Sequence, residues 1–139
     1  MERKDLRLGN YLNYDKKLIY ISEITRAGIG MYDGYGFDKS SPIECLRPIK
    51  LNEEWLLKFG AKRTNEYSFT HSRFKLIWKP NYNYWYVIDL AEKTYLTKIE
   101  FVHEYQNFYF VMNGGELIRL ASLEKNSGGK LNFNYYGMD

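Results

Sequence analysis

Residues 98–117, Lys-Ile-Glu-Phe-Val-His-Glu-Tyr-Gln-Asn-Phe-Tyr-Phe-Val-Met-Asn-Gly-Gly-Glu-Leu, constrain the fold more than any other stretch of the chain. Two periods compete within them. On a helical wheel Phe101, Tyr105, Phe108 and Met112 form one narrow stripe, while Glu100, Glu104 and Asn107 fall on the other side. Asn113-Gly114 would then supply the C-cap. The rival is a hairpin in which 108–112 turn through Asn113-Gly114-Gly115 into 116–120, because Asn-Gly is a strong hairpin dipeptide. A stripe at i, i+4, i+7 and i+11 favours the helix, over 98–112.

The remainder reads mostly as short strands. Residues 8–12, 17–24, 29–32 and 43–49 are candidates, with turns at 13–16 and 26–30. Apolar residues run with little polar interruption through Leu18-Ile19-Tyr20-Ile21, as in a strand buried on both faces or closed in a small barrel. Four such strands suggest an SH3-like barrel. Residues 32–42, with Gly34, Gly36 and Ser40-Ser41-Pro42, read as a loop. In 51–60, Asn52 is an N-cap, Glu53 and Glu54 suit the positive end of the helix dipole, and Leu51 can staple to Leu56. Gly60 provides the left-handed stop of this two-turn helix. Residues 67–70, 74–78 and 84–90 return to strands, with a hairpin loop at 79–83 and a further short strand at 95–97. From 125 the chain reads as a linker, and 131–136 as a terminal strand or aromatic tail.

The expected fold is therefore α+β: an N-terminal small SH3-like β-barrel, a short capped helix, an antiparallel hairpin sheet and a C-terminal aromatic helix. The expected division is a barrel lobe at 1–50, a helix–hairpin–helix lobe at 51–124 sharing one core, and a tail at 125–139. A chain of 139 residues is long enough for that interior.

Composition narrows the function classes. The chain holds 14 Tyr, 8 Phe and 3 Trp, more rings than so small a domain can enclose. Some must lie at a surface, where tyrosine gives large contact area at low entropic cost, although aromatics equally suit a pleated sheet. A net charge of +3, from 20 Lys plus Arg against 17 Asp plus Glu, is too balanced for a nucleic-acid signature. Cys45 is the single cysteine, so there is no internal disulfide and no thiolate metal cluster. The start, Met-Glu-Arg-Lys-Asp, leads into no signal sequence and no run approaches a membrane span, so the expected location is cytoplasmic.

Three segments taken together carry a family resemblance: Leu6-Arg-Leu-Gly-Asn-Tyr11, Ile49-Lys-Leu-Asn-Glu-Glu-Trp-Leu-Leu-Lys-Phe-Gly60 and Phe101-Val-His-Glu-Tyr-Gln-Asn-Phe-Tyr-Phe110. They resemble a family of small uncharacterised proteins found in Bacteroidetes genomes and their phages or mobile elements. Its pattern has Arg-x-Gly-Asn-Tyr near the start, a Thr-Glu-Glu helix ending in glycine, and a Val-His-Gln-Leu-Gln-Asn-Leu-Tyr-Phe segment. This chain departs from it at Asn52, at Glu104 and in its tail. The resemblance spans most of 6–120 and implies an origin rather than a mechanism.

Candidate chemistry is sparse. His103-Glu104 lacks the second histidine of a zinc-protease helix, which favours a structural ring hydrogen-bonded to a neighbouring strand or loop. His71 is expected in a solvated turn, and Cys45 as a small buried residue inside a strand. Gly28-Ile-Gly-Met-Tyr-Asp-Gly34 lacks the spacing, the lysine and the following helix of a phosphate loop, leaving turn chemistry. Glu53, Glu54, Asp89 and Glu92 form no pair suggestive of acid–base work. One constellation stands out: Arg73, Lys75, Trp78, Lys79, Tyr82, Tyr84 and Tyr86. Tyr84 and Tyr86 share one strand face, and positive charge interleaved with stacking rings could hold a nucleotide, a single strand or an acidic partner surface. The alternative is that the rings pack on the Trp55 helix while lysine merely protects a sheet edge.

The expectation is a non-enzymatic binding or interaction protein without a cofactor or bound metal. Its origin in a phage or mobile element is implied by the resemblance. One version is an inhibitor of host defence that occludes a host protein or sequesters a nucleotide signal; another is a nucleic-acid-binding accessory protein. The binding residues expected are Arg73, Lys75, Lys79, Tyr82, Tyr84 and Tyr86.

Overall fold

Hairpin chemistry builds two antiparallel meanders, and two helices pack between and against them. The computed structural model describes residues 1–117, so the linker and aromatic segment expected after 125 lie outside the described residues. The first sheet contains β1 (Tyr11–Tyr14), β2 (Lys17–Ile24), β3 (Ile29–Tyr32), β4 (Asp38–Ser41) and β5 (Leu46–Arg47), in the order β4-β3-β2-β1-β5. The second contains β6 (Lys62–Asn65), β7 (Ser68–His71), β8 (Phe74–Lys79), β9 (Tyr84–Asp89) and β10 (Tyr95–Ile99), in the order β10-β9-β8-β7-β6. Helix α1 (Glu53–Lys58) joins the sheets and α2 (Val102–Asn113) follows the second. The fold is α+β, as the residue pattern predicts.

The local signals explain most elements. β1 and β2 join through Asp15 and Lys16, both with positive φ (50° and 66°), a pairing that suits the right-handed twist of a tight hairpin. Asn52 Oδ1 accepts from the Trp55 amide at 3.0 Å, and Gly60 takes φ 100°, so α1 starts and stops where its caps dictate. Leu51 and Leu56 are buried in the same cluster, as the staple requires. At the other end, Gly114 adopts φ 73° and donates to Phe110 O at 2.7 Å, closing α2.

Several expectations are corrected. The first sheet is open among the described residues rather than a closed SH3-like barrel. Its end strands do not pair: β4 is polar and mostly exposed, and β5 is two residues long. β4 lies inside the stretch read as a loop, and β6 has no apolar alternation to reveal it, all four residues being exposed. Residues 43–45 form a short 3-10 turn that puts Cys45 at the surface, not in a buried strand. Lys98 and Ile99 belong to β10, and α2 begins only at Val102. Glu104 Oε1 accepts from the amides of Glu100 and Phe101 (2.9 and 3.0 Å), which fixes that later start.

The buried side chains form two clusters. Leu6, Leu12, Ile19, Ile21, Ile29, Met31 and Leu46 make the first. In the second, Phe69, Phe74, Leu76, Trp85, Val87 and Ile99 of the second sheet meet Trp55, Leu56 and Phe59 from α1 and its C-cap, and Val102 and Tyr105 of α2. Phe108 meets Phe74 edge-on at 4.9 Å, and Met112 packs at the margin. The predicted stripe therefore does face the second sheet, but Phe101 is the residue before the helix rather than part of it. Gln106 and His103 are buried as well, because α2 has a second neighbour.

That neighbour is the start of β1, and the junction is polar. Gln106 Oε1 accepts from the Tyr11 amide at 2.8 Å, while its Nε2 donates to Gly9 O at 3.0 Å and Leu117 O at 3.2 Å. Asn107 Oδ1 accepts from Asn10 Nδ2 (2.9 Å) and Arg7 Nε (3.1 Å), and Asn107 Nδ2 donates to Asp5 O (2.8 Å). Arg7 also pairs with Glu116 at 2.9 Å and lies 4.1 Å over the Phe110 ring. The arginine, glycine, asparagine and tyrosine of the first resemblance segment thus all engage the third.

Gln106→Ala removes the side-chain acceptor of the Tyr11 amide and opens a void between the sheets. It should cost about 3 kcal/mol in urea unfolding, whereas Glu116→Gln, at the exposed end of the junction, should cost less than about 1 kcal/mol. Equal losses for the two variants would show that the buried amide is not what joins the sheets.

Candidate binding face

Period two divides the residues of the second sheet between two faces. Phe74, Leu76, Trp85 and Val87 point to the core, where both helices pack. The opposite face carries Lys75 across from Ile88, Ile77 across from Tyr86, and Lys79 across from Tyr84. β10 extends this face with Tyr95 across from Ile88 and Lys98 across from Tyr86, and Lys62 pairs with Thr70 at the far side. No paired strand position on this face is Asp or Glu.

The tyrosines form a continuous row. Tyr82, from the β8–β9 loop, stacks on Tyr84 with centroids 5.8 Å apart and planes at 26°. Tyr84 meets Tyr86 at 5.3 Å, and Tyr86 meets Tyr95 edge-on at 5.5 Å. Lys98 Nζ sits 5.0 Å over the Tyr84 ring and Lys79 Nζ 5.1 Å over Tyr86. The rings at the two ends are the open ones, Tyr82 at 63% and Tyr95 at 58% exposure. Tyr84 donates its hydroxyl to Tyr86 at 3.4 Å, and this bond, more than burial, pushes the Tyr84 pKa up to about 12. The phenol stays neutral, and the lysines set the charge of the face.

The expected constellation is thus split. Lys75, Lys79, Tyr82, Tyr84 and Tyr86 share the outer face. Trp78 turns inward, 5.2 Å from Trp85. Arg73 follows β7 in the tight turn and swings toward the helix side, its guanidinium over Phe74 and 3.5 Å from Met112 O. Tyr95 and Lys98 complete the row beyond the expected residues; the helical pattern over 98–112 hides Lys98, which belongs to β10. Glu104, three residues after Phe101, is the capping signal that places it in a strand instead.

The other candidates are structural. His71 is buried at 9% exposure, not solvated: its Nδ1 lies 2.7 Å from Tyr105 Oη and its ring stacks on Tyr109 at 4.9 Å. His103 is buried at 3% exposure beside Phe101, with rings 14° from parallel, and its Nδ1 has no hydrogen-bond partner among the described residues. Gly28 lies where a Cβ would come within 2.9 Å of Ser41 O, a close approach between β3 and β4 rather than a phosphate cradle. Glu53 pairs with Arg63, Glu54 with Lys58, and Asp89 accepts from the Glu92 amide. Among the described residues no three His, Cys, Asp or Glu side chains converge as metal ligands, and no helix is long and apolar enough to cross a membrane. An open groove of about 470 Å³ lies elsewhere, between Met1–Arg3 and the 43–48 segment.

No protein-family model, curated protein sequence or solved structure matches the chain. The geometry alone therefore carries the functional reading.

Burial pushes the pKa of both histidines below the ordinary 6.5. The unfolded chain then binds more protons between the folded values and 6.5, so stability rises with pH in that window. The histidine contribution is fully present above 6.5 and is lost as pH falls through it. Urea midpoints should drop between pH 7.5 and 5, and His103→Phe should flatten the drop. An unchanged slope in that variant would mean that His103 is not held neutral by burial.

Proposed function

We propose that the protein is a non-enzymatic binding protein that engages an anionic partner through the outer face of its second sheet. One observation carries this reading: four touching tyrosines lie in a row, flanked by Lys75, Lys79 and Lys98, with no carboxylate at the paired strand positions of that face. A sheet that needed only to solubilise an edge would place lysines there without an aromatic row beneath them. Aromatic area with charge around it is the composition of recognition surfaces. All of these residues but Tyr82 sit on hydrogen-bonded strands, so the face is largely preorganised and loses little freedom on binding. In the phage or mobile-element setting implied by the resemblance, holding such a partner would serve to blunt a host defence.

Heparin serves as the polyanion probe. The combined variant K75E/K79E/K98E should elute at clearly lower salt than a charge-matched variant carrying the same change at Lys4, Lys16 and Lys39, which belong to the first sheet and the segments flanking it. Equal elution of the two would refute the assignment, because only total charge would then matter.

A further inference from the structure

Resting on that reading, we infer that the partner is a single-stranded nucleic acid, with unpaired bases stacking on Tyr82 and Tyr95 and phosphates meeting Lys75, Lys79 and Lys98. The shape of the face separates this from other anions. A mononucleotide needs a concavity that buries most of its surface. The row is instead an open stretch of sheet, and the groove of about 470 Å³ is lined by none of its residues. A duplex hides the faces of its bases inside the stack, and reading it takes an element that enters a groove. A sheet surface bearing tyrosine rings offers stacking only to bases already unpaired.

The distribution of exposure fits an extended strand. The two central rings are each covered by a lysine at about 5 Å, while the two end rings are open. Stacking positions at the ends, with cations between them, match a chain in which bases and phosphates alternate. Three ring-to-ring steps of 5.3–5.8 Å set the length of the row. That suits about four nucleotides, the low end for an aromatic-lined single-strand site. Because base stacking is nearly blind to sequence, the face should take DNA and RNA strands alike unless the tyrosine hydroxyls reach a ribose.

The full chain should be titrated by fluorescence anisotropy against labelled oligo-dT and oligo-rU of about twelve nucleotides, and against a duplex of equal length. Tighter binding to a single strand than to the duplex is expected. The slope of log affinity against log salt should be about −2 for three lysine–phosphate contacts, and Lys79→Ala should reduce it by about 0.7. Tyr82→Ala and Tyr95→Ala should each weaken binding about tenfold, whereas Tyr82→Phe and Tyr95→Phe should change it less than about twofold. Both sites are exposed, so circular dichroism should show the variants folded. Duplex binding as tight as single-strand binding, or alanine variants that bind as the parent does, would overturn the inference. If the oligonucleotides fail to bind while charge reversal still shortens heparin retention, the inference falls and the broader reading stands. If neither effect appears, both fall.

Discussion

The two side-chain amides of Gln106 and Asn107 are what the rest of the structure depends on. Gln106 behaves toward β1 as a missing strand would, accepting from the Tyr11 amide and donating to Gly9 O on either side of Asn10. β5 occupies the same edge further along, but it pairs only with Asn13 and Tyr14. The edge left over at Gly9–Tyr11 lies beside a packed helix, where backbone groups are expensive to bury unpaired. A single glutamine resolves that problem and at the same time fixes the rotation of α2. Asn107 then sets the depth of the contact by binding Asn10, Arg7 and the carbonyl of Asp5.

Because the junction is polar, α2 serves two interiors at once. Its aromatic side, with Tyr105 and Phe108, completes the core of the second sheet, while its amides hold the first. The His71–Tyr105 hydrogen bond adds a fixed point at the end of β7, inside the second core. Directional bonds at both places define one orientation for a helix whose apolar contacts alone would tolerate several. The consequence for function is positional. Both helices lie on one side of the second sheet, and its other side is where the surplus tyrosines emerge.

The fold was legible in the residues wherever a local device was complete. The Asn52 cap, the Gly60 and Gly114 stops and the alternation of β8 and β9 each place an element within a residue or two. What escaped were strands held by their neighbours rather than by their own pattern. β4 and β6 are polar, and they are strands only because β3 and β7 present open edges to them. His71 escaped for a related reason, since its burial is supplied by Tyr105 and Tyr109, more than thirty positions away in sequence. The Tyr84–Tyr86 pair was legible from strand parity, but Tyr95 and Lys98 required the register of β10, which a bulge between Tyr95 and Thr97 displaces by one residue.

That bulge also explains why the row is continuous. Without the extra residue, Tyr95 and Lys98 would have opposite parity and point to opposite faces. With it, both lie on the outer face, so that one ring extends the tyrosine row and one cation lies over its centre. The hydroxyl bond between Tyr84 and Tyr86 holds the pair together and keeps the Tyr84 phenol neutral up to a pKa of about 12. Phenylalanine would fill the same area without that bond, and an ionised phenol would cancel part of the lysine charge. Neutral hydroxyls on a lysine-bordered sheet leave both the ring faces and the positive potential available to one partner, and the irregularity in β10 is what brings them together.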